Sequence, residues 1–391
     1  MDGCGGDWYA MRSTVATIDL DALAWNYHVL RARTQGVRML AMVKANAYGH
    51  GMVGVSRVLQ HLGVDMLGTA FVSEARVLRD AGITIPIIVL TQVEPHEADE
   101  AIALNLITVV GDVSQANALA QAARARNTTA EVHLYIDTGM SRDGVRPHDA
   151  VRTAELLQST EGLRCTGICT HFATADDPHN PFMKEQLSTF ERVVEQCAAA
   201  GCSFATVHAA NTGALWQSSE THFSLVRPGL ALYGYSSAEA HVATLRPVMR
   251  VSSNVVSLRR AWPGDTVSYG RRYILADEAT IATVPIGYGD GYMRALTGSA
   301  SCLIRGKRYP VVGTICMDEI MVNVGSDPVE LGDEVVLLGT QALADRTGAI
   351  DLEELATWAG TIPYEITTAV SARVPRLFTG ELASVAQSSS L

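Results

Sequence analysis

The sequence predicts an α/β protein in which an N-terminal (β/α)8 TIM barrel precedes a C-terminal domain made mostly of β-strands. From about residue 38 to residue 235, short apolar segments alternate with longer amphipathic ones, as strands and helices do in a barrel. After about residue 247 the segments become short and β-branched, and turn signals separate them. The chain has 391 residues, which is also more than one ordinary domain needs.

The predicted barrel occupies residues 12–245. An apolar run at about residues 13–20 precedes its first strand, and we interpret this run as a strand that could pair with the C-terminal domain. Glycine-rich dinucleotide fingerprints are absent, which favours a barrel over an open sheet. The barrel strands are predicted at 39–44, 66–70, 85–90, 107–110, 132–137, 165–171, 205–209 and 230–233. Helices between them are predicted at 54–61, 72–80, 113–126, 151–159 and 182–200.

The predicted β domain occupies residues 246–384. Its turn signals include Trp-Pro-Gly-Asp at 262–265 and Gly-Asp-Gly at 289–291. One helix, near 352–358, is expected to interrupt the strands. The strands are predicted at 255–256, 266–268, 279–285, 301–304, 309–312, 320–324 and 334–338.

Composition excludes several classes of function. The net charge of -11 is spread along the chain, so we expect no nucleic-acid partner. No basic n-region with an apolar core begins the chain and no stretch of 18 apolar residues occurs, so we expect a cytoplasmic protein without a membrane partner. The seven cysteines include no Cys-x-x-Cys pair, so we expect buried thiols and no metal site.

Lys44 is the most informative single residue, because it closes the apolar run of the first predicted barrel strand. Burial at a strand end disfavours the charged ammonium and lowers its pKa, and a neutral amine is a nucleophile toward aldehydes. Tyr48 and His50 follow in the same connection, and two glycines there allow a ligand to approach the backbone. The alternative is a lysine whose ammonium simply extends into solvent.

Polar residues also stand at further predicted strand ends, which meet at one face of a barrel. Arg227 remains charged at any physiological pH, and a salt-bridged structural arginine is its alternative interpretation. Thr212 could act on a ligand or could cap a helix. The remaining members of this group are Asp137 to Arg142, His171 and Asn211, with Gly229 and Leu230 as backbone N–H donors beyond Arg227.

Four residues of the predicted β domain complete the candidates. Tyr269 lies in Val-Ser-Tyr-Gly-Arg-Arg, where half-buried packing is the alternative to a chemical role. Met317 follows Cys316, and its backbone N–H could bind a carboxylate. Tyr288 lies in Gly-Tyr-Gly-Asp-Gly, and Tyr364 lies in Ile-Pro-Tyr-Glu-Ile.

These motifs, in this order, resemble those of the alanine racemase family. The resemblance extends from Ile18 to Arg376 and includes the lysine block, Asp-Thr-Gly-Met-x-Arg, Thr-His-Phe, Val-Arg-Pro-Gly, Val-Ser-Tyr-Gly, Ile-Cys-Met-Asp and Val-Pro-Arg. It implies a fold-type III pyridoxal 5'-phosphate enzyme that interconverts L-alanine and D-alanine and supplies D-alanine for peptidoglycan. It also implies a head-to-tail homodimer with shared active sites, to which the partner contributes the β-domain residues.

The resemblance implies roles for individual residues. Lys44 holds the cofactor and is the base for D-alanine, and Tyr269 is the base for L-alanine on the opposite face. Arg227 meets the pyridine nitrogen, and Arg142 meets both the phenolic oxygen and the substrate carboxylate. Met317 and Tyr288 contact the substrate or narrow its entrance. The remaining cofactor-binding residues are Tyr48, Thr212, Gly229, Leu230 and Tyr364 at the phosphate, with His171 and Asn211 beside them.

One departure from the family bears on the substrate range. Many members carry a carbamylated lysine two residues before the aspartate of Asp-Thr-Gly-Met, and that lysine holds the arginine of the motif. This chain has Tyr135 there, which cannot form a carbamate. A related racemase of serine, lysine or many amino acids therefore stays open as an alternative. Arg227 disfavours a fold-type III decarboxylase, and the β domain disfavours a non-catalytic barrel that binds pyridoxal phosphate.

Overall fold

The computed structural model describes residues 12–236, 244–343 and 346–388, which form two compact units. The barrel unit comprises the described residues of 20–47, 52–246 and 381–391. The β unit comprises the described residues of 1–19, 48–51 and 247–380.

The strands are numbered in chain order. They are β1 Val15–Asp19, β2 Arg38–Met42, β3 Met66–Thr69, β4 Ile87–Val89, β5 Ile107–Val110, β6 Ala130–Tyr135, β7 Leu163–Cys169, β8 Thr206–His208, β9 Leu225–Val226, β10 Met249–Asn254, β11 Ser257–Ala261, β12 Thr266–Val267, β13 Tyr273–Ile274, β14 Ala279–Val284, β15 Ser301–Ile304, β16 Lys307–Val312, β17 Ile320–Gly325, β18 Glu334–Leu343, β19 Arg346–Ile350 and β20 Arg376–Thr379.

The helices are numbered in the same way. They are α1 Leu20–Thr34, α2 Met52–His61, α3 Val72–Asp80, α4 Ala98–Ala103, α5 Val113–Ala125, α6 Ala150–Ser159, α7 Phe182–Ala199, α8 Thr212–Gln217, α9 Leu352–Ala359, α10 Pro363–Ala369 and α11 Ala383–Gln387.

The barrel is a parallel sheet in which β2 to β8 are neighbours in chain order and β9 pairs with the other edge of β2. Two backbone hydrogen bonds bring the ends of the sheet together. Ser224 N–H donates to the Val207 carbonyl at 3.1 Å, and Arg227 N–H donates to the Ala210 carbonyl at 2.9 Å. The predicted (β/α)8 barrel is therefore confirmed, and the carboxyl ends of its strands meet at one face.

The barrel strands are apolar along most of their length because helices cover the outside of the sheet while side chains fill the inside. All four residues of β3 and all four of β5 are buried. The helices are instead amphipathic. In α3, for example, Val72, Ala75 and Leu78 repeat at a spacing of three and are buried. This contrast between continuously apolar strands and amphipathic helices is why the sequence alone predicts the alternation of strand and helix.

The β unit is built around a mostly antiparallel sheet in the order β11-β14-β17-β16-β15-β18-β10-β1-β20, with β19 on β18. The first strand of the chain, β1, lies within this sheet, antiparallel to β10 and parallel to β20. The mostly-β character predicted for the C-terminal part is confirmed. No helix in the described part of the chain is both long and apolar enough to cross a membrane.

Two predicted strands were wrong, and one helix of the β unit was not predicted. Residues 230–233, predicted as the last barrel strand, form a 3-10 helix, and the strand is β9, earlier in the chain. Pro228 and Gly229 end that strand. The apolar run after them is buried on every side, so its hydrophobic pattern does not distinguish a strand from a helical turn. Residues 255–256 link β10 to β11 and form no strand of their own. A second helix, α10, follows α9, with its proline near the first turn, where proline is tolerated.

Candidate active site

Lys44 stands just beyond β2, at the face where the strands end. Val43 is fixed there by its N–H, which donates to the Gly68 carbonyl at 2.9 Å. The Lys44 side chain can be reached by solvent. Its surroundings nevertheless lower the pKa of the amine, first through desolvation and then through the charge of Arg142, while Glu74 acts in the opposite direction. The site thus holds a primary amine that is accessible and easier to deprotonate than an ordinary lysine.

The backbone after Lys44 forms an unusual left-handed turn. Ala45, Asn46 and Ala47 have φ angles of 52°, 55° and 55°, a region that residues other than glycine seldom adopt. The Ala45 N–H donates to Glu74 Oε1 at 2.7 Å, and Asn46 Oδ1 accepts from the Met52 N–H at 2.8 Å. Local hydrogen bonds therefore hold a strained turn next to the amine.

Arg227 is almost completely buried, with 5% of its surface exposed. Its Nη1 donates to His208 Nδ1 at 2.8 Å, and its Nη2 donates to the carbonyls of Thr170 and Ala209, both at 2.9 Å. Nη2 also lies 3.3 Å from His171 Nδ1. None of the ion pairs among the described residues includes Arg227, so neutral acceptors hold this cation without neutralising it.

The hydrogen-bond directions around Arg227 fix the histidine tautomers. A guanidinium can only donate, so His208 Nδ1 accepts and the proton of His208 is on Nε2. That nitrogen lies 2.9 Å from His133 Nδ1, which must accept in turn. Burial, reinforced by nearby arginines, lowers the pKa of His133 to about 3 and that of His208 well below its usual value. Both histidines are therefore neutral, and they align the charged guanidinium.

The sequence reasoning missed His133 and His208. Each lies on a barrel strand and is buried, with 1% and 0% of its surface exposed. A polar residue within an otherwise buried strand was the available signal, because a buried polar group needs a partner. The predicted residue His171 lies on the other side of Arg227, and burial lowers its pKa to about 3.

Arg142 lies in the loop after β6. Asp137, which is buried, organises this loop by accepting from the N–H groups of Gly139 and Ser141 at 3.0 and 2.9 Å and by pairing with Arg146 at 3.1 Å. The Arg142 side chain is half-exposed and contacts Asp143 at 3.2 Å. The loop thus presents a cation at the barrel face while its backbone stays fixed.

Tyr135 ends β6 beside Cys169 of β7. Its phenol is buried, and burial raises the pKa of Tyr135, while the charges of Arg142 and Arg227 and a hydrogen bond from Arg142 counteract that rise. A neutral phenol held between two arginines can accept a hydrogen bond from either. Tyr135 therefore stands where it can orient Arg142.

Asn211 and Thr212 begin α8. Asn211 is the N-cap, because its Oδ1 accepts from the Ala214 N–H at 3.0 Å. Thr212 is the first helical residue instead, and its Oγ1 accepts from the Gly229 N–H at 3.0 Å. This bond joins the start of α8 to the loop that leads into the 3-10 helix at Leu230. Hydroxyl and backbone N–H groups are thus gathered in one small region of the barrel unit.

The remaining candidates lie in the β unit. Tyr48 and Tyr364 are neighbours, with ring centroids 5.9 Å apart. Tyr269, Tyr288 and Met317 are instead exposed, by 73%, 42% and 51%.

Backbone hydrogen bonds connect the loops that carry these exposed residues. The N–H of Tyr288 donates to the Cys316 carbonyl at 3.0 Å, and that of Gly289 donates to the Met317 carbonyl at 2.9 Å. Thr314 Oγ1 donates to the Tyr269 carbonyl at 2.8 Å. Large apolar side chains exposed on ordered loops are typical of a surface that a partner covers.

The chain matches two family models that together span most of its length. These are the N-terminal domain of alanine racemase over residues 18–237 and its C-terminal domain over residues 248–378. The alanine racemase of Citrifermentans bemidjiense is 42% identical over 380 residues, covering 94% of this chain and 99% of that protein. That of Symbiobacterium thermophilum is 40% identical over 380 residues, covering 96% and 100%.

Solved structures agree with the family models. The alanine racemase of Streptomyces coelicolor A3(2) superimposes with a TM-score of 0.90 at 36% identity, covering 95% of this chain and 99% of that one. That of D-cycloserine-producing Streptomyces lavendulae gives a TM-score of 0.89 at 37% identity, with 94% and 97% covered. By sequence and by fold, this chain belongs to the alanine racemase family and is an amino-acid racemase.

Proposed function

We propose that this enzyme interconverts L-alanine and D-alanine with pyridoxal 5'-phosphate bound at Lys44 and with Lys44 and Tyr269 as bases on opposite faces of the substrate. One observation carries the proposal. The barrel unit holds both an accessible amine of lowered pKa and a buried guanidinium that has no carboxylate partner among the described residues. Besides burial, both groups lower the pKa of His171, which lies 3.3 Å from the guanidinium. The barrel thus holds an amine that can react with an aldehyde and a guanidinium that can donate to an aromatic nitrogen.

The donor set fits this cofactor. Lys44 offers the amine for the aldehyde, Arg227 a donor for the pyridine nitrogen, and Arg142 a cation for the phenolic oxygen. Hydroxyl and N–H groups suit a phosphate, and we assign Tyr48, Thr212, Gly229, Leu230 and Tyr364 to it, with Asn211 and His171 as supporting residues. A related structure, that of the Bartonella henselae alanine racemase, is described as having covalently bound pyridoxal phosphate, at 28% identity and a TM-score of 0.85.

The chemistry divides between the cofactor and the chain. Bound pyridoxal phosphate supplies an electron sink that acidifies the α-proton of an amino acid. Arg227 is always charged and can only donate, so beside the pyridine nitrogen it would keep a proton off that nitrogen and limit how far charge spreads away from the α-carbon. Such a limit favours return of the proton over competing reactions. Lys44, once its amine is free, accepts the proton of the D-enantiomer.

A second base is required because a racemase removes a proton from one face and returns it to the other. Tyr269 is assigned to the L-enantiomer. A phenol has an ordinary pKa near ~10, so it needs cationic help to ionise. Arg227 can give that help through the neutral His171, whose Nδ1 accepts from Arg227 and whose Nε2 then carries a proton that can be donated.

We propose a head-to-tail homodimer in which Tyr269, Tyr288 and Met317 enter the barrel of the partner subunit. Their exposure on hydrogen-bonded loops supports this assignment. The Met317 N–H would bind the substrate carboxylate together with Arg142, and Tyr288 would narrow the entrance. The supply of D-alanine for peptidoglycan and a cytoplasmic location remain predictions from the family resemblance.

Tyr135 is proposed to replace the carbamylated lysine of many family members. Its phenol is assigned as the acceptor that orients Arg142, whose guanidinium also contacts Asp143 at 3.2 Å. A structure of the Bacillus anthracis alanine racemase is described with bound L-Ala-P, at 34% identity, and alanine is the substrate we assign here. The alternative is turnover of serine, lysine or many amino acids, because Arg142 has Tyr135 beside it in place of the carbamylated lysine of many family members.

Two measurements on the purified protein with added pyridoxal phosphate test this function. Borohydride reduction followed by peptide mapping is expected to find the cofactor on Lys44. Chiral chromatography of a panel of L-amino acids is expected to show strong preference for alanine. Racemisation of many amino acids would replace the assignment to alanine by a wider substrate range. A cofactor tethered to Lys44 without racemisation would overturn the assigned reaction.

A further inference from the structure

The carboxylate of Glu74 joins two loops beside Lys44. Glu74 is the third residue of α3, and its Oε2 accepts from the N–H groups of Ala70 and Phe71 at 2.8 and 3.3 Å, which caps the helix. Its other oxygen, Oε1, accepts from the Ala45 N–H at 2.7 Å. One carboxylate therefore ties the segment after β3 to the segment after β2.

The segment held in this way is the left-handed turn. Ala45 and Ala47 are residues with a Cβ, and nothing in their side chains favours a positive φ. The turn is held by an internal hydrogen bond, from the Ala47 N–H to the Val43 carbonyl at 2.8 Å, and by side chains at its two ends, with Asn46 accepting from Met52 and Glu74 accepting from Ala45. Glu74 holds the end that directly follows Lys44.

The same carboxylate contributes to the electrostatics at the amine. The described charged and titratable groups that act on or face Lys44 are Arg142 and His171 from other loops and Glu74 from α3. Arg142 lowers the pKa of Lys44, His171 is neutral, and Glu74 raises the pKa of Lys44. A negative charge here opposes the two influences that would leave the amine a weak base.

We propose that Glu74 is a positioning residue for Lys44, which fixes the left-handed turn directly beside the amine. This inference rests on the proposed function, in which Lys44 binds the cofactor and removes a proton from D-alanine. A turn that cannot relax keeps the amine at one place at the end of β2. The nearby carboxylate raises the affinity of the amine for a proton, which the amine accepts from the substrate and returns to it.

Glu74→Gln tests the proposal, because it removes the charge at almost constant shape. Glu97→Gln is the matched control, since Glu97 is also a partly buried third residue of a helical turn and accepts from the N–H of Glu94 at 3.2 Å. In the holoenzyme, Glu74→Gln is expected to speed hydrogen exchange of the Ala45 amide about tenfold and to lower kcat about tenfold to a hundredfold. The acidic limb of the pH profile for D-alanine should move to lower pH. The control should change none of these.

The outcomes separate this inference from the proposed function. A wild-type protein without cofactor on Lys44 after borohydride reduction overturns the proposed function and this inference with it. A wild-type protein that carries the cofactor, with Glu74→Gln indistinguishable from Glu97→Gln in Ala45 exchange and pH profile, overturns the role of Glu74 alone. If Glu74→Gln does not fold, Glu74→Asp retains the charge on a side chain that is one methylene group shorter, and we expect it to lose the hydrogen bond to Ala45. Unchanged Ala45 exchange in that variant would then refute the proposal.

Discussion

The two units present their candidate residues in opposite ways. In the barrel unit Arg227 is 5% exposed and every one of its described contacts is made within that unit, whereas Tyr269 of the β unit is 73% exposed. The barrel therefore completes its own electrostatics before any partner binds. Among the described contacts, the exposed side chains of the β unit have no comparable set, as the proposed homodimer requires.

The exposed residues of the β unit are nevertheless carried on ordered loops. Asp290 is buried and accepts from both Arg12 at 2.6 Å and the Gly287 N–H at 3.1 Å, while Arg373 lies 3.3 Å away. Arg373 also donates to Asp318 at 2.7 Å, next to Met317. Exposed side chains on loops that are anchored by ion pairs to a buried aspartate are pre-organised for contact.

The largest expected effect comes from the barrel side of this comparison. Lys44→Ala removes the amine, and we expect it to abolish cofactor tethering and to lower turnover by at least about 10³-fold. Lys184→Ala, at an exposed position on α7, serves as the control. Mass spectrometry after borohydride reduction and racemisation assays would check both, and retained turnover in Lys44→Ala would refute the assignment.

In the β unit, replacement of Tyr269 is expected to affect the two enantiomers of alanine unequally. Tyr269→Phe removes the phenolic base but leaves the ring, so α-proton exchange from L-alanine should fall by about 10²–10⁴-fold while exchange from D-alanine falls far less. Deuterium wash-in from each enantiomer, measured separately, gives the ratio. Equal losses from both would contradict the assigned faces.

A pH-dependent loss of stability is expected for the barrel unit. His133 and His208 are neutral in the folded chain, with pKa values far below the ~6.5 of an unfolded histidine. As the pH falls below ~6.5, the unfolded state gains protons that the folded state does not, so the free energy of unfolding should fall by roughly 1.4 kcal/mol per pH unit for each histidine. For His133 this loss continues down to about pH 3.

Denaturant unfolding between pH 7 and pH 4 would measure this slope. Replacing one histidine of the pair is the sharper test. His208→Asn should flatten the slope because it removes one titrating group, whereas His179→Gln, at an exposed site, should not. A slope that is the same in all three proteins would mean that other groups dominate the acid instability.

The smallest expected effect concerns Tyr135. Tyr135→Phe removes the phenol that we propose as an acceptor for Arg142, so KM for alanine should rise about tenfold with a smaller change in kcat. Tyr27→Phe is the control, since its ring lies 5.8 Å from the Arg31 guanidinium, away from the barrel face. An unchanged KM together with an unchanged preference for alanine would show that Tyr135 does not orient Arg142.

Sequence reasoning succeeded where a pattern has a period or a motif has a fixed order. The alternation of apolar runs predicted the barrel, which is confirmed, and the ordered motifs predicted the family, while the roles of Lys44 and Arg227 stay predictions. It failed for residues whose importance depends on spatial neighbours. His208 is recognisable only once Arg227 is beside it, and Glu74 binds the backbone of Ala45, whose N–H carries no sequence signal. The left-handed turn after Lys44 was equally hidden, because alanine gives no hint of a positive φ.

Mixing two inactive variants tests most directly the claim that the barrel and the β unit contribute to each active site from different subunits. Lys44→Ala and Tyr269→Phe proteins, dissociated together and allowed to reassociate, would form hybrid dimers in which one site has both Lys44 and Tyr269. Random pairing is expected to restore about a quarter of the wild-type activity. No recovery, with hybrid dimers shown to be present, would mean that Lys44 and Tyr269 act within one chain and would contradict the shared site.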